Sequence, residues 1–141
     1  MSDDLDAGKR SLRALHEAMG GFHVLAWDLK EKALTAGFTV RPEFCHTNGT
    51  IAQGGFITAW LDAAMATAVL YDSDKQLNVA SLEIKVTFLE RVGPGPGTAI
   101  GRIVRRGKRV AFLEGDLFNA VGKLAAQATS TGLIIPMTPT G

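Results

Sequence analysis

The feature that most constrains the fold is the apolar segment at residues 56–71. It contains neither proline nor glycine and is rich in alanine, a composition that favours a helix. Its polar residues are Thr58, Asp62 and Thr67, too few for the continuous polar face of a surface helix. We therefore predict a helix that is buried nearly all round. With 16 residues and an internal Asp62, the segment is too short and too polar for a membrane span, which needs about 20 residues.

Strand patterns surround this helix. Residues 81–88 alternate strictly, which predicts a strand with its even-numbered side chains in the core: Leu82, Ile84, Val86 and Phe88. Five further strands are predicted at 22–28, 33–40, 98–105, 109–118 and 124–133. The short turns between the four C-terminal strands require antiparallel pairing, because parallel strands need a long crossover.

Capping residues, glycines and prolines indicate the other boundaries. Ser11 is the predicted N-cap of a short helix over 11–19, and residues 1–10 are expected to be flexible. Residues 42–48 read as irregular, and the glycine-proline run 93–97 reads as a turn. The order predicts an α+β fold in which one antiparallel sheet of five to six strands wraps around one long central helix.

Composition excludes several classes of protein. The 141 residues suit a single domain over 1–141, and 15 basic against 14 acidic residues leave no basic excess for nucleic acid or an anionic membrane. The single cysteine, Cys45, rules out an internal disulfide and favours a reducing, cytoplasmic location. The three histidines form no metal-binding motif, so we predict no metal site.

Asp62 is the first candidate functional residue. A buried carboxylate must be paired, hydrogen-bonded or neutralised, and Thr58 is the only polar residue near it on the same helical face. Two interpretations stay open at this point. Asp62 is held by backbone N–H groups or a partner subunit, or it is a nucleophile or general base in a dry cleft.

Gln53, Gly54 and Gly55 open the same helix and form the second candidate feature. Free N–H groups at a helix N-terminus attract an anion or a polarised carbonyl oxygen, and glycine permits close approach. Gly54 and Asp62 are eight residues apart, which is roughly 12 Å along a helix. One carbonyl cannot contact both groups in one chain. A catalytic site built from both therefore predicts a dimer with antiparallel helices across a two-fold axis.

A family resemblance rests on the order and spacing of these motifs. His46 to Asn48, the Gln53-Gly54-Gly55 run, Asp62, the strand at 81–89 and the turn at 93–97 resemble the hotdog-fold acyl-CoA thioesterases of the phenylacetate-pathway (PaaI-like) type. The resemblance implies the hotdog fold and hydrolysis of acyl-CoA to a free acid and coenzyme A. It also implies a dimer, and a dimer of dimers is common in the family.

The resemblance further implies roles for single residues. The Gly54 N–H polarises the thioester carbonyl, and Asp62 of the neighbouring subunit attacks it or activates water. Asn48 positions Asp62 or the water, and Ser81 helps to hold the water. The remaining substrate-binding residues that it implies are Gly55, His46 and Thr58 at the cleft, and Arg105, Arg106 and Lys108 for the phosphates of coenzyme A. Coenzyme A enters as part of the substrate, and no other cofactor is expected.

Two departures from the family pattern leave alternatives open. Gln53 stands where the family usually has histidine, and the loop from Asn48 to Gln53 is about one residue shorter than usual. An acyl-thioester hydratase or dehydratase on the same fold would use that histidine. A non-catalytic subunit that binds acyl-CoA is the other alternative.

Overall fold

The computed structural model describes residues 2–137, with side chains from Ala7 onward. The elements follow in the order α1 (Ser2–Ala18), β1 (His23–Asp28), β2 (Ala33–Val40), a 3-10 turn (Pro42–Phe44), β3 (Cys45–His46), β4 (Ile51–Ala52), α2 (Gly54–Asp72), β5 (Leu77–Phe88), β6 (Gly95–Arg106), β7 (Val110–Phe118) and β8 (Leu124–Pro136).

Six of the strands form one antiparallel sheet in the order β1-β2-β6-β7-β8-β5. The helix α2 lies across one face of this sheet and contacts β2, β5, β6, β7 and β8. This arrangement confirms the predicted α+β fold, with the sheet wrapped around one long helix. The sequence-adjacent strands β6, β7 and β8 pair as short hairpins require, whereas β5 is carried to the far edge beside β8.

The helix α2 buries one stripe of side chains. The fully buried members are Trp60, Leu61, Ala64, Met65, Ala68 and Val69, spaced as one face of a helix requires. The opposite face, which includes Asp62, is only half-buried within the chain. The prediction of burial nearly all round is therefore wrong for the single chain, because the sheet covers only one side. By length and hydropathy this 19-residue helix could also span a membrane, a property that core helices share.

Aromatic stacking fixes the first half of α2. Trp60 stacks on Phe38 of β2 with 4.3 Å between ring centroids, and Phe44 stacks on Phe56 at 4.5 Å. The Trp60 side chain has no solvent exposure, and its Nε1 donates a 2.8 Å hydrogen bond to the Met19 carbonyl. The indole thereby ties the helix to the segment that follows α1.

Sheet and helix approach each other closely at Gly101 of β6. A β-carbon at this position would overlap the backbone of Ala64 and Met65. Only glycine lets the strand lie this near to the helix axis. Gly101 therefore sets the distance between the two layers.

A β-bulge in β5 changes the predicted pattern of that strand. Ser81 pairs with Gly132 and Glu83 with Thr131, so Leu82 is the extra residue. The prediction that Leu82 and Phe88 lie in the core is wrong, since these side chains are 61% and 54% exposed. The bulge brings odd-numbered Ser81 to the helix side of the sheet, where the even-numbered side chains after the bulge also lie.

Other boundaries differ from the sequence predictions at element ends. The first helix begins at Ser2 instead of Ser11 and so includes most of segment 1–10, for which flexibility was expected. Strand β6 begins at Gly95, inside the predicted turn. The irregular segment 42–48 contains a 3-10 turn and the start of the small β3–β4 hairpin.

Candidate active site

The Asp62 carboxylate is held by one hydroxyl. Ser81 Oγ on β5 donates a 2.6 Å hydrogen bond to Asp62 Oδ1. This contact exists because the bulge at Leu82 turns Ser81 toward α2. The hydrogen bond fixes one carboxylate oxygen, while the half-buried position leaves the group accessible from the open face of the helix. Asp62 is therefore an oriented and reachable carboxylate.

The N-terminus of α2 presents one free backbone donor. Gln53 is the N-cap, and its side-chain Oε1 accepts a 3.1 Å hydrogen bond from the Gly55 N–H. Within residues 2–137, the Gly54 N–H makes no hydrogen bond. The predicted donor Gly54 is thus available, whereas Gly55 is occupied by the cap. A free N–H at the positive end of a helix suits a carbonyl oxygen that gains negative charge.

The two features lie on one straight helix but cannot meet within one chain. Gly54 and Asp62 both belong to α2 and are separated by roughly 12 Å along its axis. Each lies against a different end of β5. Ser81 touches Asp62, and Phe88 touches Gly54, where an added β-carbon would be 3.1 Å from the ring. The strand β5 therefore links the two halves of the candidate site.

The structure does not join three other predicted site residues to this carboxylate. Thr58 Oγ1 donates to the Gly54 carbonyl at 2.8 Å instead of reaching Asp62. His46 Nδ1 lies 2.8 Å from Thr47 Oγ1, and its ring is exposed. Asn48 lies exposed in the β3–β4 turn with a φ of 57°, and its side chain makes no hydrogen bond within the described chain.

Asp72 forms an ion pair with one of the three cations predicted to bind phosphate. Arg106 Nε donates to Asp72 Oδ2 at 2.9 Å, and Lys32 Nζ donates to Asp72 Oδ1 at 2.7 Å. Arg106 Nε is therefore used by an internal ion pair, and contact of Arg106 with phosphate stays a prediction. Arg105 and Lys108 are exposed and make no ion pair within the part of the chain that the structure describes.

The Asp72 ion pairs were not found by sequence reasoning. The Asp72 side chain is 4% exposed, and burial by itself raises the pKa of its carboxyl group. Hydrogen bonds and charges from Lys32 and Arg106 outweigh burial, and they hold the pKa of Asp72 below its ordinary value. A signal was present, because an acidic residue at the C-terminus of a helix opposes the helix dipole and needs cationic partners. The strand register that places Arg106 beside Asp72 could not be predicted from the sequence.

Among the described residues, no group of three or more His, Cys, Asp and Glu side chains is arranged to hold an ion.

The fold and the site together define the hotdog class of protein. A long helix opens with glycine, carries an acidic residue two turns later and is wrapped by a six-stranded antiparallel sheet. A family profile described as the thioesterase superfamily matches residues 49–126, more than half of the chain. The chain belongs to the thioesterase superfamily, which makes it a member of a hydrolase family.

One similar relative spans nearly the whole chain. A protein of Saccharolobus solfataricus that carries the name of a predicted esterase is 27% identical over 135 residues, covering 96% of this chain and 95% of the relative.

Solved structures match the same architecture. A phenylacetic acid degradation-related protein of Ralstonia eutropha superposes with a TM-score of 0.77 at 28% identity, covering 85% of this chain and 89% of that one. The E. coli PaaI protein from the phenylacetic acid degradation operon has a TM-score of 0.77 at 19% identity, with 92% and 90% coverage. A Streptococcus mutans protein bound to acetyl-CoA has a TM-score of 0.70 at 17% identity, with 82% and 89% coverage. The predicted fold and the PaaI-like resemblance are confirmed.

Proposed function

We propose that this protein hydrolyses acyl-CoA thioesters at a site shared by two copies of the chain. One observation carries the proposal. An oriented carboxylate, Asp62 on Ser81, and an unoccupied helix N-terminal donor, Gly54, lie on one helix of a thioesterase-superfamily protein. The two groups are too far apart to act together in one chain. Two copies would supply one group each and form two equivalent sites.

Gly54 would bind the thioester carbonyl oxygen. As the reaction proceeds this oxygen gains negative charge, and a fixed N–H beside a helix dipole stabilises that charge more than it stabilises the ground state. The absence of a side chain leaves room for the Phe88 ring, which would lie 3.1 Å from a β-carbon at this position. Gln53 supports this role indirectly, because its cap on Gly55 holds the first turn of the helix in place.

Asp62 would supply the nucleophile. It either accepts a proton from a water that attacks the acyl carbon, or attacks the carbon itself to form an anhydride that water then hydrolyses. In both routes the carbon–sulfur bond breaks, hydroxide from water is added to the acyl carbon, and the CoA thiolate takes a proton. The Ser81 hydroxyl would keep the carboxylate oriented or hold the water. No metal or redox cofactor is needed for this chemistry.

Two features favour association of two copies. The open face of α2 is mostly small and apolar, and the sheet leaves it half-buried. β5 is a 12-residue strand at the edge of the sheet, so one row of its backbone groups is unpaired in the single chain. Such an edge is a template for pairing with another strand. Antiparallel pairing of two β5 strands would bring the α2 open faces together.

The coenzyme A part of the substrate would lie at the β6–β7 turn. Arg105 and Lys108 are exposed there and can offer charge to phosphate groups. Arg106 would instead hold the turn to α2 through Asp72. The acetyl-CoA bound to the Streptococcus mutans neighbour supports a coenzyme A thioester as the ligand class.

Asn48 and His46 would act across the subunit boundary. Both are exposed and neither is bonded to Asp62 of its own chain, so their proposed contacts are with the bound thioester and with Asp62 of the partner subunit. A non-catalytic subunit that binds acyl-CoA is the second candidate. It is favoured by one observation, since Gln53 is occupied as a cap and cannot titrate as a histidine would.

The test is free-thiol release from a panel of acetyl-, hexanoyl-, palmitoyl-, phenylacetyl- and benzoyl-CoA. Asp62→Asn should lower kcat by about 10² to 10⁴-fold, the usual contribution of a general base. Asp74→Asn is the matched control, because this residue has a φ of 53° that asparagine tolerates and makes no side-chain hydrogen bond among the described residues. The control should keep wild-type activity.

One outcome would reject hydrolysis, and another would reject the role of Asp62. If wild type releases no thiol from any substrate but binds acyl-CoA, the non-catalytic candidate is correct. If Asp62→Asn stays folded and retains full activity, Asp62 is not the nucleophile or base.

A further inference from the structure

Phe88 is the side chain that bounds the approach to Gly54. A β-carbon built on Gly54 would lie 3.1 Å from Phe88 Cζ and 3.4 Å from Cε1. All three of the nearest atoms belong to this one ring. The tip of the ring therefore stands directly beside the glycine whose N–H is free.

The position of Phe88 is fixed by strand pairing. Phe88 pairs with Ala126 of β8, and the N–H groups of the next two residues, Leu89 and Glu90, both donate to the Ala125 carbonyl at 2.8 and 3.1 Å. The bulge at Leu82 determines which side chains of β5 face the helix, and it places Phe88 among them. The ring is thus carried by a rigid element.

Core packing does not account for this ring. Phe88 is 54% exposed in the single chain, although it lies on the side of the sheet that carries α2. In the proposed dimer, in which two β5 strands pair, the ring would line the shared site. A large apolar surface left open beside a free donor is suited to an apolar group of a ligand whose polar atom reaches that donor.

We infer that Phe88 forms the apolar wall of the acyl pocket and determines which acyl groups are accepted. The inference rests on the proposed function and deepens it. When the carbonyl oxygen lies about 3 Å from the Gly54 N–H, the carbons beyond the α-carbon run along the ring. Acetyl has no such carbons and gains nothing from the wall. Acyl groups that continue as an apolar chain bury surface against it at about 0.8 kcal/mol for each buried CH₂.

The test is the effect of Phe88→Ala on hexanoyl-CoA compared with acetyl-CoA. We expect KM for hexanoyl-CoA to rise about tenfold, which corresponds to roughly 1.4 kcal/mol, and KM for acetyl-CoA to stay within about twofold. Phe88→Leu keeps an apolar side chain and should restore most of the hexanoyl-CoA affinity. A role in folding alone would alter both substrates equally.

Phe112→Ala is the matched control. Phe112 is 47% exposed on β7, between the buried Ala111 and Leu113, so it faces the opposite side of the sheet. This variant should leave both KM values unchanged. An equal change for the two substrates in Phe88→Ala, or no change, would overturn the inference.

Binding separates this inference from the proposed function. If wild type hydrolyses neither substrate, calorimetry can still measure whether Phe88 contributes to the binding of hexanoyl-CoA and not to that of acetyl-CoA. We then expect Phe88→Ala to weaken hexanoyl-CoA binding about tenfold and to leave acetyl-CoA binding unchanged. Equal hexanoyl-CoA affinity in wild type and Phe88→Ala would show that Phe88 does not line the acyl pocket, whether or not the protein hydrolyses the substrate.

Discussion

The register of the proposed β5 pairing can be worked out from the two contacts at its ends. A shared site needs Ser81, which holds Asp62, to lie opposite the Phe88 of the partner, which touches Gly54. Leu82 and Glu83 count as one step because of the bulge, so Lys85 lies three steps from each end. The two-fold axis is therefore predicted to pass beside Lys85.

This register gives a cross-linking prediction with a worked distance. Directly paired residues in an antiparallel ladder have Cα atoms about 4.5 to 5.5 Å apart, inside the disulfide range of about 4.4 to 6.8 Å. Lys85→Cys in a Cys45→Ser background should therefore form a covalent dimer under mild oxidation. Thr87→Cys faces the same side of the strand, but its partner copy would lie four residues along, roughly 13 Å away. It should remain monomeric on the gel.

The assay is non-reducing electrophoresis with intact mass of the dimer band, checked for loss on reduction. A band from Thr87→Cys in place of Lys85→Cys would show that the register is wrong. No band from Lys85→Cys, Thr87→Cys or Glu83→Cys would exclude β5 pairing centred on any of these three residues and would overturn the predicted register.

Three stability predictions are testable by urea unfolding. Asp72→Asn should lower the free energy of unfolding by about 1 kcal/mol at neutral pH, because Lys32 and Arg106 lose their carboxylate partner but stay partly exposed to solvent. The pKa of Asp72 is lowered in the folded state. Its contribution to stability is therefore present above the unfolded pKa of about 3.9 and is lost as pH falls through the folded pKa. Wild type and Asp72→Asn should then have equal free energies of unfolding. Trp60→Phe removes the hydrogen bond to the Met19 carbonyl and should cost about 2 kcal/mol, and an unchanged midpoint would show that this bond contributes nothing. Gly101→Ala should cost about 3 kcal/mol through overlap with the helix backbone, whereas Gly8→Ala, with open space around it, should not destabilise the protein.

Local patterns in the sequence predicted the main elements because they act over few residues. The composition of segment 56–71 predicted α2, and short turns predicted the antiparallel strands near the C-terminus. Glycine at the helix start and Asp62 two turns later were found in the same way, since their spacing on a helix is fixed. The ends of strands were less predictable. Gly95 pairs with Val40 of β2 although its own neighbours are typical of a turn.

Single-residue shifts limited what could be predicted about the site. Strict alternation placed Leu82 in the core and Ser81 outside, but one extra residue in β5 exchanged their faces. Nothing in the alternation of 81–88 marks that bulge, which reflects pairing with β8. The contact between Ser81 and Asp62 depends on it.

The sequence by itself determined the helix, the antiparallel sheet and the distance between Gly54 and Asp62, because these follow from composition and from helical geometry. Only the tertiary structure decided three contacts. Ser81 donates a hydrogen bond to Asp62, Arg106 forms an ion pair with Asp72, and the Phe88 ring lies beside Gly54. Each of these contacts joins residues from different elements. Their existence depends on strand register and on how closely the sheet packs on the helix, and neither quantity is encoded by any short stretch of the chain.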